Sequence, residues 1–263
     1  MNGCKATFPS ALLHTGRTAT AAYRTVPIPR HLPESHFMSI GFCIHPRPSR
    51  PSRALVSKFK GVVCAHLSDN MSRLAGSDAA LRPWHRKGQL LGVALTVRVP
   101  AGDNLMVHKA IDIAQPGDVI VVDAGGATAQ AIIGEIMSSM AAARGAVGMV
   151  IDGAIRDAGA LAAGTFPVYA RAATHRGPYK NGPGEIHVPV SIGGMIVYPN
   201  DIIIGDEDGL VAVRPEEAPA LLAAARAWCD KEDRMLKSIR ARKPIDRTWV
   251  DETLRNRGCS GVD

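Results

Sequence analysis

Two continuous apolar runs, separated by a segment with helical spacing, constrain the fold of this chain most strongly. "DVIVVDA" (residues 118–124) and "GMVIDG" (148–153) are apolar without alternation, which is typical of strands buried on both faces. "AQAIIGEIMSSMAAARG" (129–145), between them, has the spacing of a helix that Gly134 interrupts. Buried strands that alternate with helices predict a layered α/β fold.

The same pattern continues on both sides of these runs. "GQLLGVALTVRVP" (88–100) predicts a long strand, and "VVCAHLSDNMSRL" (62–74) predicts a strand leading into a helix. Residues 186–213 predict three or four strands with tight turns, and Pro215 opens a long last helix. Because neither a linker nor an internal repeat follows residue 52, we expect one domain.

The first 37 residues have a different composition, rich in Ala, Thr, Arg and Pro and almost free of acidic residues. They fit a transit-type leader, or a start codon placed too early, since Met38 opens the coherent segment "MSIGFCIHPRP". Such a composition buries too little apolar surface to offset chain entropy, so we expect disorder there. The predicted organisation is a leader or mis-assigned start at 1–37 and one domain at 38–263.

Charge, cysteines and hydropathy exclude several classes of function. Residues 1–50 hold six Lys and Arg and one acidic residue, so the rest of the chain contributes only +2 to the net charge of +7. Without a basic patch in the body we expect no nucleic-acid partner, and without a long apolar run we expect no membrane span. The five scattered cysteines form no metal motif, which favours a reducing cytoplasm.

An arginine and an aspartate, Arg156 and Asp157, directly follow the buried strand at 148–153. The pair has two explanations. Asp157 can cap or charge the first turn of the next helix, with Arg156 in solvent. Alternatively the pair lies where α/β sheets bind ligands, with the carboxylate holding a divalent cation and the guanidinium holding an anionic oxygen. The residues alone leave both open.

Glycines at two further places have similar alternatives. Gly125 and Gly126 in "VVDAGG" fit a tight turn after a strand better than a nucleotide-binding loop, because GxGxxG and GxxxxGK[ST] spacings are absent. Gly134 in "GEIM" either starts a helix whose free N–H groups can meet an anion, or allows close backbone packing.

The order of these motifs resembles the family of the regulator of ribonuclease E activity A and its relatives, the 4-hydroxy-4-methyl-2-oxoglutarate aldolases. The resemblance covers about residues 39–240. It is carried by the segments "GDNLMVHKA", "PGDVIVVDAGG", "GEIM", "RGAVGMVIDGAIRD", "FPVYA", "THRGPYKNGPGEIHVPVSIGGMIVYPND" and "GDEDGLVAV". It implies one compact α/β domain with a central β-sandwich flanked by helices in α/β/β/α order, assembled as a homotrimer or homohexamer.

The resemblance also implies roles for particular residues. It places the metal ligand at Asp157, the substrate arginine at Arg156, and a glutamate that a neighbouring subunit brings near the metal's waters at Glu232. Glu135 would also order a water that moves protons. The substrate-binding backbone would be Gly134, Glu135, Ile136 and Met137.

The activity implied by the resemblance is that of a Mg²⁺- or Mn²⁺-dependent lyase. It would cleave a 2-oxo acid of the 4-hydroxy-4-methyl-2-oxoglutarate or 4-carboxy-4-hydroxy-2-oxoadipate type to pyruvate, and would decarboxylate oxaloacetate. The family's regulator branch lacks the aspartate found here at Asp157, so the alternative is a non-catalytic regulator that binds ribonuclease E or another protein. Side chains of the loop 174–185 (His175, Arg176, Tyr179 and Lys180) either bind a second substrate carboxylate or are ordinary loop residues. Glu185 either supports the metal site from behind its ligands or caps a strand.

Overall fold

Strands and helices alternate through the middle of the chain in the computed structural model, which describes residues 40–262. The predictions for residues 1–37, and the domain boundary at Met38, lie outside the described residues. The strands are β1 (Phe42–Ile44), β2 (Arg82–Pro83), β3 (Leu90–Arg98), β4 (Asp118–Asp123), β5 (Ala131–Ile133), β6 (Gly148–Ile155), β7 (Val168–Ala173), β8 (Gly184–Ile186), β9 (Val190–Ile192), β10 (Met195–Val197), β11 (Ile202–Gly205) and β12 (Leu210–Val213). The helices are α1 (Arg53–Ser57), α2 (Cys64–Asp69), α3 (Leu105–Ile113), α4 (Glu135–Ala143), α5 (Ala158–Ala163), α6 (Ala218–Arg240) and α7 (Thr248–Asn256).

The main sheet has the strand order β1-β8-β3-β4-β6-β7-β2. Its centre, β3-β4-β6-β7, is parallel, and β5 adds to the end of β6. The antiparallel pair β11–β12 joins the sheet along β3. Since the central strands run in one direction, the segments that follow them meet at one edge of the sheet.

Three apolar clusters separate the layers. The first lies between the main sheet and helices α3 and α4, and includes Val107 and Ala141. The second lies between the opposite face of the sheet and β9, β10 and β12, and the third between β11–β12 and the helices α2 and α6. The predicted α/β domain, with a central multi-stranded sheet flanked by helices, is therefore confirmed.

Two local predictions were wrong. Val62 and Val63 form no strand and simply precede α2. Residues 131–133, predicted as helical, form the short strand β5, which pairs in parallel with the end of β6, and this tertiary pairing overrides the local pattern. Gly134 therefore starts a helix and does not interrupt one. Within residues 40–262, no helix is both long enough and apolar enough to cross a bilayer.

Candidate active site

The ends of β5 and β6 bring the predicted site residues together. β5 runs parallel to β6, with Ile133 beside Ile155, and the Arg156 N–H donates to the Ile133 carbonyl at 2.9 Å. The residues that follow each strand, Gly134 and Arg156, are therefore neighbours although they are far apart in sequence. The pairing of the two strands therefore holds Gly134 and Arg156 next to each other.

Asp157 has a conformation that few residues adopt. Its φ of 55° and ψ of 35° lie in the left-handed region, which aspartate tolerates better than most residues. It occupies the position before α5, yet its side chain makes no capping bond to that helix. Instead its Oδ2 accepts from the Glu135 N–H, the first of α4, at 3.0 Å. Asp157 therefore occupies the N-cap position of α5 without capping that helix through its side chain.

A glycine is required at position 134 because the side chains of Asp157 and Arg156 approach it closely. Its φ of −150° is ordinary extended backbone, so backbone freedom is not the reason for a glycine. A Cβ at this position would overlap Asp157 Oδ2 and would lie 2.8 Å from Arg156 Cγ. Both alternatives for Gly134 are thus realised together, because it starts α4 and admits the Asp157 carboxylate.

The N-terminus of α4 supplies free hydrogen-bond donors. The N–H groups of the first turn have no partner within a helix, and the first available internal bond is from Ser138 N–H to the Gly134 carbonyl. Asp157 takes the Glu135 N–H. The N–H groups of Ile136 and Met137 are left for an anion, which the helix dipole also favours.

Arg156 lines a cleft of about 270 Å³ beside this helix start. Its Nε lies 3.6 Å from Asp157 Oδ2, a contact between charges without a hydrogen bond, and its side chain is 44% exposed. The guanidinium can therefore reach a ligand. Other walls of the cleft come from α3 (His108), α4 (Ile136) and the loop 174–185 (Lys180).

Asn104 and His108 are cleft residues that the sequence analysis did not identify. Asn104 directly precedes α3, and His108 lies within it four residues later, so the two share one face of that helix. The spacing in "NLMVH" indicates this shared face but not what the face meets. Asn104 donates from Nδ2 to the Ile132 carbonyl at 2.8 Å. Among the described residues, its Oδ1 and the Nε2 of His108 are buried without a hydrogen-bond partner.

The loop 174–185 contributes Gly177, Pro178 and Lys180 to the cleft, and Lys180 is the charged residue of the three. Asp103 positions the loop, because its Oδ2 accepts from the N–H groups of Asn181 and Gly182 at 2.6 and 3.1 Å. The side chains of His175, Arg176 and Tyr179, which the sequence analysis considered, do not line the cleft.

Two glutamates lie elsewhere. Glu185 binds Arg98 and His45, whose hydrogen bonds hold its pKa below the usual value, with Arg98 the larger influence. Glu232 on α6 accepts from Trp228 at 3.0 Å and lies 2.7 Å from His66 Nε2, which lowers its pKa. Neither lines the cleft of its own chain, and the predicted role of Glu232 in a neighbouring subunit stays a prediction.

Glu135 lies at the site but faces away from the cleft. Its side chain is exposed and it borders a different depression, between α4 and α5. Only its backbone, through the bond to Asp157, takes part in the geometry described above.

The donor set at Asp157 fits a hard divalent cation that keeps most of its waters. Its carboxylate side chain is 40% exposed, so it can reach solvent and a hydrated ion. Among residues 40–262, no group of three or more His, Cys, Asp or Glu side chains could enclose a metal. Mg²⁺ is usually bound by one or two carboxylates together with waters and substrate oxygens, which agrees with a single aspartate.

Comparisons with known proteins identify the family of this chain. The model of the RraA-like family, described as Aldolase/RraA, matches residues 64–212. A protein of Halalkalibacterium halodurans, named "Putative 4-hydroxy-4-methyl-2-oxoglutarate aldolase", is 39% identical over 180 residues, which are 68% of this chain and 86% of that protein.

Two solved structures share the fold. An uncharacterized protein from Pseudomonas syringae is 25% identical with a TM-score of 0.66, over 73% of this chain and 91% of the other. The RNA-processing inhibitor RraA from Thermus thermophilis is 30% identical with a TM-score of 0.53, over 57% of this chain and 92% of the other. The chain belongs to the Aldolase/RraA family.

Proposed function

We propose that the chain is a lyase that depends on a divalent metal and cleaves a 4-hydroxy-2-oxo acid to pyruvate. The observation that carries the proposal is the Arg156–Asp157 pair, set against the N-terminus of α4 by a glycine that leaves room for the carboxylate. This arrangement puts a guanidinium and free N–H groups on one cleft, and an acidic ligand, Asp157, directly beside them. Substrates of the 4-hydroxy-4-methyl-2-oxoglutarate and 4-carboxy-4-hydroxy-2-oxoadipate type suit it, in keeping with the name of the 39% identical relative.

Asp157 would hold Mg²⁺ or Mn²⁺ at the mouth of the cleft. Its charge and its left-handed backbone both support this role, because an uncommon conformation that the fold maintains is frequent at functional sites. Such a metal, when bound, supplies Lewis-acid stabilisation of oxygen atoms that gain negative charge.

The chain's own donors would bind and orient the substrate. The N–H groups of Ile136 and Met137 would receive the substrate carboxylate at the positive end of α4. Arg156 would donate to the keto oxygen as the C3–C4 bond breaks and negative charge develops there. The family resemblance implies that Glu135 orders a water that moves protons. Its side chain is exposed and lies outside the cleft, so its position does not support that role.

Both proposed activities follow from one intermediate. Cleavage of a 4-hydroxy-2-oxo acid and decarboxylation of oxaloacetate each leave pyruvate enolate, so the same Arg156 contact would assist both. We therefore propose oxaloacetate decarboxylation as a second reaction of this site. The scattered cysteines favour the cytoplasm as the place where the enzyme acts.

A non-catalytic regulator of ribonuclease E or another protein is the second candidate. It is suggested by the Thermus structure, an RNA-processing inhibitor that is 30% identical. Docking on another protein would give no reason for an aspartate held in a left-handed conformation beside an arginine in a cleft.

Pyruvate release separates the two candidates. The purified protein is incubated with oxaloacetate, 4-hydroxy-4-methyl-2-oxoglutarate and 4-carboxy-4-hydroxy-2-oxoadipate, with Mg²⁺, with chelator, and with chelator followed by excess Mg²⁺. We expect pyruvate with Mg²⁺, none above the rate without enzyme in chelator, and recovery on readdition. Full activity in chelator would contradict the metal role, and no activity on any of the substrates would favour the regulator.

A further inference from the structure

Cleavage of a 4-hydroxy-2-oxo acid needs a base that removes the hydroxyl proton at C4, and the cleft holds a side chain suited to this. The charged or titratable side chains that line it are Arg156, Lys180 and His108. Arg156 and Lys180 are donors without a basic lone pair in their usual protonated forms. His108 is therefore the group to consider, and we propose that it is the proton acceptor in the aldol cleavage.

The position of His108 fits this role. Its Nε2 is buried and has no hydrogen-bond partner in the described part of the chain, and the residue lines the same cleft as Arg156 and Gly134. A buried nitrogen without a partner is costly, so such atoms in a cleft commonly meet a ligand or water. The Asn104 Oδ1 beside it on the same helix face is a second buried atom without a partner, and it can accept only from a donor such as a hydroxyl.

The protonation state of His108 also fits. Burial lowers its pKa, the nearby Lys180 lowers it further, and Asp112 opposes both to a smaller extent. Arg156, which lines the same cleft, adds positive charge of the same sign as Lys180. A histidine whose pKa lies below its ordinary value is mostly neutral at neutral pH and can accept a proton.

This role of His108 rests on the proposed function. The C4 hydroxyl proton moves to His108 Nε2, and the O–H electron pair becomes the new C4 carbonyl bond. The C3–C4 bond breaks and its electron pair forms the C2–C3 double bond, while the π pair of the C2 carbonyl moves to its oxygen, which Arg156 would contact in the resulting pyruvate enolate. The enolate then takes a proton from solvent at C3, and the protonated imidazole releases its proton to solvent, giving pyruvate and a carbonyl product.

Oxaloacetate provides an internal comparison. Its decarboxylation breaks a carbon–carbon bond with loss of CO₂, and no hydroxyl proton has to be removed first. His108 is then required for one reaction of the site and not for the other. A residue that merely supports the fold would affect both reactions together.

The test is His108→Gln with both substrates, with His175→Gln as the matched control because that histidine is exposed and does not line the cleft. We expect kcat for cleavage of 4-hydroxy-4-methyl-2-oxoglutarate to fall about 10²-fold or more, the usual contribution of a general base. Oxaloacetate decarboxylation by the same variant should stay within about threefold, and the control should match the parent in both reactions. In the parent, kcat/KM for the cleavage should fall as pH drops through the lowered pKa of His108, and this limb should be missing for oxaloacetate.

A second variant distinguishes loss of the proton acceptor from a folding defect. His108→Ala should regain cleavage activity when imidazole is added, and circular dichroism checks that both variants fold. Equal losses on the two substrates, or no loss on either, would overturn the inference while leaving the proposed function in place. A parent protein that is inactive on both substrates would overturn the proposed function and this inference together.

Discussion

At the scale of single residues, the site depends on a close contact at Gly134 that a side chain at this position would prevent. Gly134 leaves space for the Asp157 carboxylate to reach the first N–H of α4, and Arg156 packs against the same point. The carboxylate is thereby fixed by a backbone donor from another element. A rigid ligand of this kind needs little reordering when it binds a cation.

Gly134→Ala should therefore damage the site without unfolding the protein. The new methyl group must displace Asp157 or Arg156, so we expect pyruvate formation to fall more than about tenfold. The matched control is Gly159→Ala in α5, where a Cβ meets nothing within 4 Å. The control should keep full activity and gain up to about 1 kcal/mol of stability in urea unfolding, since alanine favours helix more than glycine. Full activity of Gly134→Ala would show that the close approach has no functional role.

Asp157→Asn isolates the charge of the proposed metal ligand. Asparagine tolerates the left-handed conformation and can still accept from the Glu135 N–H, so the geometry should survive. Loss of the negative charge should raise the Mg²⁺ concentration for half-maximal activity by about tenfold or more, or ~1.4 kcal/mol. Asp251→Asn on the exposed helix α7 is the control, and a magnesium titration of pyruvate release compares them. An unchanged titration midpoint would remove Asp157 from the metal site.

Much of this site could be predicted from the sequence, and the missing part depends on the fold. The order of motifs indicated Arg156, Asp157 and the segment 134–137. Two facts were inaccessible: the Asp157 bond to α4, which requires the pairing of β5 with β6, and the approach of His108, which requires α3 to pack beside that pairing. Both join residues distant in sequence, and local patterns carry no information about such contacts.

At the scale of elements, prediction succeeded where burial is complete. β3, β4 and β6 are apolar along their length because both faces of the central sheet are covered. β5 was misread since three residues are too few to show a period, and they directly precede α4 in the chain. Its identity comes from pairing with β6 and from nothing local.

A buried carboxyl before β11 gives a prediction for pH. Burial raises the pKa of Asp201 from 3.8 to about 6, although its Oδ2 accepts from the Tyr198 N–H. Arg214 Nε lies 3.1 Å from Asp201 Oδ1, yet neither atom has a hydrogen-bond partner among residues 40–262. Because the folded-state pKa is the higher one, the stabilisation from Asp201 is complete below about pH 4 and is lost as pH rises through about 6.

Asp201→Asn should therefore make stability less dependent on pH. The amide can keep the bond from the Tyr198 N–H without the cost of a buried charge. We expect the variant to exceed the parent in free energy of unfolding by about 1–3 kcal/mol near pH 8, and by little near pH 4. Urea unfolding at the two pH values measures this. A variant less stable than the parent near pH 8 would mean that the contact with Arg214 outweighs desolvation.

At the scale of the whole molecule, the last two helices extend an apolar surface away from the core. The buried residues of α6 (Ala218, Leu222 and Ala225) all lie in its first half. Its second half and α7 expose Met235, Leu236, Ile239, Trp249 and Leu254. Exposed apolar surface of this kind marks a site of association with another protein surface, and the homotrimer or homohexamer stays a prediction.

Subunit mixing tests whether Glu232 serves a neighbouring site. If Asp157 of one subunit and Glu232 of the next act together, Asp157→Asn and Glu232→Gln should each be impaired. When the two variants are coexpressed in equal amounts, about a quarter of the sites combine two unaltered residues, and activity should recover to that extent. The size and composition of the mixed oligomers are verified first. If their activity does not recover, Glu232 makes only its contacts with His66 and Trp228 and serves no neighbouring site.

Arg156 is the residue proposed to stabilise negative charge on the substrate during bond cleavage. Arg156→Lys keeps the positive charge but loses the planar pair of donors, so a directed contact becomes a loose one. The test is the steady-state kcat for oxaloacetate decarboxylation by this variant and by the parent, both with saturating Mg²⁺. We expect kcat to fall about 10²–10³-fold, with the magnesium titration nearly unchanged. A kcat within about threefold of the parent would show instead that Arg156 only packs beside Asp157.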